Sequence, residues 1–134
     1  MNIEYAALSD LDYLAQNDEH ITAVTIRAKI ERQEIIIIRH EDQPVGWLRF
    51  GYFWDEHPFM NMLWLDEAYR GRGWGQALVI WWEEQMQLRG HHLVFTSTQS
   101  DENAQHFYRK LGYRDCGALL LPDEPLEIIL LKNL

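Results

Sequence analysis

A chain of 134 residues, 47% hydrophobic and 25% charged, has the size and apolar content of one folded unit with a buried core, and a disordered polypeptide is excluded. The formal net charge of −9 disfavours nucleic acid as a partner, because a phosphate backbone needs a basic face. With Cys116 as the only cysteine an intrachain disulfide is excluded, and no apolar run approaches the length of a membrane span.

In chain order, Asn2 to Ala6 reads as a short strand, Ser9 as the cap of a helix through about Gln16, and about Glu19 to Arg32 as a second helix. Glu34 to His40 is a strand, Asp42 to Pro44 a turn, and Val45 to Trp54 the returning strand of a hairpin, broken by His57-Pro58. Phe59 to Leu65 forms another strand, Gly73 to Arg89 a long helix, His92 to Thr98 a strand and Asp101 to Leu111 a helix. Tyr113 to Leu121 and Glu127 to Lys132 complete the sheet. The reading is an α/β (α+β) chain with six to seven strands and about four helices. No linker, repeat or low-complexity stretch interrupts it, so residues 1–134 are expected to be a single domain.

The most informative stretch runs from Leu63 to Leu78, where an apolar strand turns into a helix through a basic loop with glycines at 71, 73 and 75. Glycine admits conformations closed to other residues and lets a ligand approach closely, so several N–H groups can converge at the start of the helix. Arg70 and Arg72 add guanidinium donors suited to phosphate oxygens. Two familiar phosphate loops do not fit. A P-loop would place Gly-Lys-Ser/Thr where Gln76 stands, and a dinucleotide fingerprint counted from Gly71 would need glycine at 76. ATP and NAD are therefore disfavoured.

The pattern Arg-x-x-Gly-x-Gly over Arg70 to Gly75 resembles the coenzyme A pyrophosphate loop of the GNAT superfamily of acyl-CoA-dependent N-acyltransferases. A second segment, Asn103 to Tyr113 with Phe107-Tyr108-Arg109-Lys110-Leu111-Gly112-Tyr113, is similar to that superfamily's Ala-x-x-Phe-Tyr-x-Lys-x-Gly-Phe/Tyr helix. The same segment also reads as an amphipathic helix with Ala104, Phe107, Tyr108 and Leu111 on its core face and Gly112 ending it. Core packing accounts for an aromatic at 108, though phenylalanine would serve that purpose without a hydroxyl.

The resemblance implies a GNAT-like, mostly antiparallel central sheet, with acetyl-CoA as co-substrate in a cleft where the strand Phe59 to Leu65 diverges from the strand His92 to Thr98. Backbone at Leu63, Trp64 and Leu65 would meet the pantetheine amides, and N–H groups of Arg70, Gly71, Arg72, Gly73, Trp74, Gly75 and Gln76 the pyrophosphate. Tyr108 would be the general acid for the departing thiolate, since a tyrosine near pKa ~10 can donate toward a thiol near ~8.5. No acidic residue lies within Phe59 to Leu65, where some family members carry a glutamate, so the base is a water chain, solvent assisted by Asn61, or Asp55 or Glu56 just upstream. Where many relatives have asparagine seven residues before the tyrosine, this chain has Asp101, expected as a helix cap, and Asn103 either contacts the coenzyme or solvates the helix end. The acceptor pocket is expected from Asn17 to Ile21 and Leu121 to Pro125. The implied activity is transfer of an acetyl group to a primary amine by direct attack in a ternary complex; the alternative is a non-catalytic acyl-CoA-binding or sensory module on the same fold.

The remaining features are less directive. The aromatic run Trp47, Phe50, Tyr52, Phe53, Trp54, Phe59 and Trp64 is expected mainly in the core, with Trp54 and Phe59 as candidates for substrate contact. His57, His91, His92 and His106 have no zinc-like spacing, so no metal is assigned. Acidity either steers a cationic acceptor or merely keeps the chain soluble. A cytoplasmic setting is expected from the single cysteine, read as structural in a strand, and from an amino terminus without a basic segment leading an apolar one. Sheet edges and aromatic content allow a homodimer.

Overall fold

The computed structural model describes all 134 residues. Seven strands, β1 (Asn2–Tyr5), β2 (Ile35–His40), β3 (Gln43–Phe53), β4 (His57–Leu65), β5 (Leu93–Gln99), β6 (Arg114–Leu119) and β7 (Glu127–Asn133), form one mostly antiparallel sheet of order β1-β2-β3-β4-β5-β7-β6. The helices are α1 (Leu11–Asn17), α2 (Ala23–Glu31), α3 (Trp74–Leu88) and α4 (Ala104–Lys110). The chain divides into two compact units, Met1–Phe50 with Met62–Trp82, and Gly51–Asn61 with Glu83–Leu134.

In the first unit four consecutive isoleucines, Ile35 to Ile38, are buried, as a strand covered on both faces requires. Ile35 and Ile37 pack in a core with Leu14, Ile26, Ile30 and Trp47, and Tyr13 meets the Trp47 ring edge-on at 5.8 Å. The β2–β3 turn is tighter than expected: Glu41 and Asp42 take it alone with φ of 50° and 65°, the left-handed pair whose twist matches a two-residue hairpin. Pro44 is therefore inside β3, next to the register shift after Ile38, where a residue lacking an N–H is tolerated.

Two helix starts also differ from expectation, and one residue type explains both. Ser9 lies inside a 3-10 turn (Leu8–Asp10), whose start Asp10 closes by accepting from the Ala7 N–H at 2.8 Å while pairing with Arg39 at 2.8 Å; α1 follows without a side-chain cap bond. Residues 18–21 are a connecting turn rather than helix, because Asp18 turns inward to pair with buried Arg49 at 2.8 Å and accepts from the His20 N–H at 3.2 Å. Thr22 then caps α2 through the Thr25 N–H at 3.3 Å.

Gly46 marks the tightest backbone approach, since a Cβ there would lie 2.5 Å from the Trp64 carbonyl oxygen. Gly46→Ala is expected to destabilise the protein by roughly 1–3 kcal/mol, as overpacking against backbone does. Urea unfolding with an unchanged midpoint would show that the strands part freely.

In the second unit β3 ends at Phe53, and Trp54 and Asp55, with φ of 56° and 59°, make the turn. The break thus falls earlier than His57-Pro58, which open β4 instead; a strand's first residues accept proline because no ladder donor is yet required. The ladder of β4 with β5, the parallel one, has two registers, Phe59 with Phe95 and Met60 with Thr96. β5 pairs with β7 over seven registers, and β6 runs along the other side of β7. Along β5 the side chains alternate: Val94, Thr96 and Thr98 are buried, Phe95 and Ser97 half-buried on the opposite face. Glu83 of α3 accepts from the Tyr113 hydroxyl at 2.7 Å and the Lys132 ammonium at 3.0 Å; burial first, and then that carboxylate, hold the Tyr113 hydroxyl far above the usual tyrosine range. Gly112, at φ 96°, ends the helical segment as expected. Cys116 does lie in a strand, but exposed on β6, so it has no packing role there.

Candidate functional site

The first unit carries the loop. After β4 the Asp66 N–H donates to the Val45 carbonyl at 2.8 Å, and the 3-10 turn Glu67–Tyr69 follows. Arg70 then folds back: its Nε donates to the Leu65 carbonyl at 2.8 Å and its guanidinium lies 4.5 Å from the centre of the Trp64 ring. The Trp64 indole N–H points to Asp66 Oδ1 at 3.4 Å. Arg70 thus braces the strand end, and the Leu65 carbonyl expected to meet pantetheine is already occupied by it. Arg72 is exposed, its guanidinium 5.8 Å from the Tyr69 ring centre.

Gly71 and Gly73 take left-handed φ of 74° and 81°, with nothing within 4 Å of where a Cβ would stand. Gly75 does not share that conformation; it belongs to the first turn of α3, which starts at Trp74. The Gly73 carbonyl accepts the Ala77 N–H at 3.0 Å, so Trp74, Gly75 and Gln76 lie in the turn whose N–H groups have no intrahelical partner. The Trp74 ring packs on Tyr69 at 5.0 Å and His40 at 5.7 Å, fixing where the helix begins. Two left-handed glycines, the start of a fifteen-residue helix and an exposed arginine thus stand together on this loop, the parts from which anion sites are built.

The second unit carries the hydroxyl. Tyr108 sits in α4 and is 6% exposed, between Phe107 at 5.3 Å and Tyr113 at 5.8 Å. Burial pushes its pKa up to about 12, against a hydrogen bond with Thr96 and with a further push from the Glu102 charge. Thr96 in turn donates to the Met60 carbonyl at 3.0 Å, where the short β4–β5 ladder ends. Thr96 was not singled out from sequence; the buried member of an alternating strand opposite the motif helix was the available signal.

Asn103 occupies the N-cap position of α4 without a side-chain cap bond. Asp101 lies in the turn before it and does not cap the helix; the end is tied instead by Gln105, whose amide donates to the Ser100 and Glu102 carbonyls, both at 2.9 Å. Glu56 is exposed in the turn before β4, 3.9 Å from His57 Nε2. Asn61 is exposed on β4 and lines a cavity of about 810 Å³ within this unit. The cavity walls are the hairpin tip Tyr52 to Trp54, Phe59, one face of β5 and β7, and the stretch Cys116 to Leu119 of β6. Leu121, expected at the acceptor pocket, is on the wall, whereas residues 17–21 belong to the first unit, with Asp18 taken by Arg49. Phe95, Ser97, Glu127 and Ile129 line the cavity and were missed from sequence, although alternation puts all four on one face. Of the aromatic run, Trp47 and Phe50 are fully buried, while Trp54 is 76% exposed. No group of three or more His, Cys, Asp or Glu residues is placed to hold a metal ion, and no helix is long and apolar enough to cross a membrane.

Residues 4–113 match the family model described as Acetyltransferase (GNAT) family. The chain belongs to that family. Its fold is that of solved structures with little sequence in common: Ard1 from Thermoplasma volcanium superposes with a TM-score of 0.85 at 16% identity, covering 98% of this chain and 96% of that one. The ribosomal-protein-alanine N-acetyltransferase from Brucella melitensis gives 0.82 at 18% identity over 100% of both chains. Rv2747 from Mycobacterium tuberculosis, solved in complex with CoA and NLQ, gives 0.84 at 16% identity over 100% and 99%. Among curated proteins none matches.

Proposed function

We propose that residues 1–134 act as one N-acetyltransferase domain that binds acetyl-CoA and transfers its acetyl group to a primary, cationic amine by direct attack in a ternary complex. The observation that carries this is Tyr108: a buried, protonated hydroxyl in the family's motif helix, with a pKa of about 12 and Thr96 beside it. Family membership and the CoA-bound relative support the co-substrate. In this reading Gly71, Arg72, Gly73 and the N–H groups of Trp74 to Gln76 receive the pyrophosphate, backbone at Leu63 and Trp64 and the Asn103 side chain contact pantetheine, and Arg70 holds the loop in shape. The single free cysteine accords with the reducing cytoplasm.

In the transfer the neutral amine nitrogen attacks the thioester carbonyl carbon, a C–N bond forms and the C–S bond breaks with its electron pair going to sulfur. The ammonium form gives up one proton to solvent at Asn61 before attack, and the nitrogen loses a second by the same route once the C–N bond has formed, with exposed Glu56 as a further relay. A tyrosine at about 12 facing a thiol near ~8.5 would transfer its proton uphill by roughly 5 kcal/mol, so Tyr108 stabilises the developing thiolate by hydrogen bonding and the sulfur takes its proton from solvent.

Thermal shift with acetyl-CoA, CoA, ATP and NAD, followed by thiol release across amines, tests the reading. Coenzyme A species alone should stabilise, by ~2.7 kcal/mol at a hundred times Kd. Stabilisation without thiol release from any amine would favour a sensory module, and stabilisation by none would remove the loop assignment. Gly73→Val, forcing a β-branched residue to φ 81°, should strain the loop by ~1–2 kcal/mol and weaken acetyl-CoA binding about tenfold or more, whereas helical Gly75→Ala should keep near-normal affinity. Calorimetry giving equal affinities for both variants would count against the loop assignment.

A further inference from the structure

We infer that the cavity of the second unit takes an arylalkylamine, with Glu127 receiving its ammonium group and the aromatic cluster at Phe59 and Phe95 receiving its ring; this names the acceptor class and rests on the acetyltransferase reading above. The rings of Phe59 and Phe95 lie parallel at 6.3 Å, and Phe53 stands 6.1 Å from the first and 6.0 Å from the second. Phe53 is 41% exposed, so this three-ring cluster is an open aromatic platform rather than sealed core.

Glu127 is the one carboxylate on the cavity wall, and no lysine, arginine or histidine lines it. A cavity of that charge repels anionic acceptors and favours ammonium. The register sets the span. Leu131 lies opposite Phe95, Ile129 opposite Ser97 and Glu127 opposite Gln99, so the carboxylate and the aromatic platform are four residues apart along the face, ~13 Å between Cα atoms. Between them Ser97 and Ile129 offer a hydroxyl and an apolar side chain, and Asn61 lies on the same wall. A Glu127 side chain extended toward the platform would shorten that span to one that a ring, a short alkyl arm and an ammonium ion can bridge. Methylamine would leave the platform empty, and a polyamine would put a second cation on phenylalanine rings with one carboxylate to share. Glu124, the nearest other acid in sequence, accepts from the Gln99 amide at 3.0 Å and is not on the wall.

The test is calorimetric titration of 2-phenylethylamine and of methylamine into the CoA-loaded protein and into Glu127→Gln, with Kd for CoA measured first in each. The expected result is saturable 2-phenylethylamine binding at least a hundredfold tighter than methylamine, weakened tenfold or more by Glu127→Gln, restored in part by Glu127→Asp, and with CoA affinity unchanged. Equal binding of the two amines, equal Kd in Glu127→Gln, or no 2-phenylethylamine binding to the wild type would each overturn the inference. Thiol release from acetyl-CoA, run in parallel, separates the two claims: amine binding that tracks Glu127 without any turnover would sink the transferase reading and leave the cavity assignment standing, while turnover with methylamine preferred would do the reverse.

Discussion

Tyr108→Phe is expected to lower turnover by roughly a hundredfold or more while leaving acetyl-CoA affinity within about twofold, because the change removes one hydroxyl and keeps the ring packed between Phe107 and Tyr113. Loss on this scale in kcat, with kcat/KM falling equally, marks an interaction made as the C–S bond breaks. The pH profile sharpens the test. A tyrosine held at about 12 keeps its proton throughout the working range, so wild-type turnover should not decline as pH rises through 10, where an ordinary tyrosine would lose its proton. The same shift has a stability sign. The folded pKa lies above the unfolded value, so the neutral hydroxyl's contribution is complete below pH 10 and is lost between 10 and about 12. A Tyr108→Phe enzyme with unchanged turnover across pH would leave the hydroxyl without a role in the reaction.

The largest expected effect on stability falls elsewhere. Asp18→Ala leaves the Arg49 guanidinium, whose side chain is 7% exposed, without its counter-charge, and also removes the acceptor of the His20 N–H. Breaking a buried pair by deleting one member typically costs 3–5 kcal/mol, roughly. Urea unfolding should therefore show a sharp fall in midpoint at constant slope. The paired change Asp18→Leu with Arg49→Met should recover most of the loss, because replacing both ions by apolar groups removes the unpaired charge as well as the attraction. A loss below about 1 kcal/mol in the single variant would mean that water reaches Arg49.

Elements with strong periodicity or composition were legible in the chain: the isoleucine run of β2, the long α3, the motif helix ended by Gly112 and the glycine loop all stand near their expected places. What misled were side chains whose partners are distant in sequence. Ser9 looks like a cap, yet it lies inside a 3-10 turn that Asp10, paired with Arg39, closes onto Ala7, and a helix drawn from Glu19 ignores that Asp18 is pulled inward by Arg49. Local propensity also misplaced two turns: Glu41-Asp42 and Trp54-Asp55 take left-handed conformations that their types alone rarely announce. At the site, the motif residues could be named, and so could Trp54, Phe59, Asn61 and Leu121 of the cavity wall, but not Glu127, Phe95 and Ser97, which come together only through the pairing of β5 with β7. Arg70 is the instructive case: an arginine in a phosphate-like loop suggested a ligand contact, and it is engaged with the chain's own Leu65 carbonyl.

That engagement has a kinetic side. An arginine held by a carbonyl and an indole ring has lost its rotamer freedom, up to ~2 kcal/mol, during folding and not at the encounter with a ligand. In the proposed reading the loop therefore stands ready before the pyrophosphate arrives, and association with it should run at the pace of diffusion and orientation instead of waiting on loop ordering. Weakening the brace at Trp64 would then register as slower capture as well as faster escape, the signature of a receptor that has to be reassembled each time it is used.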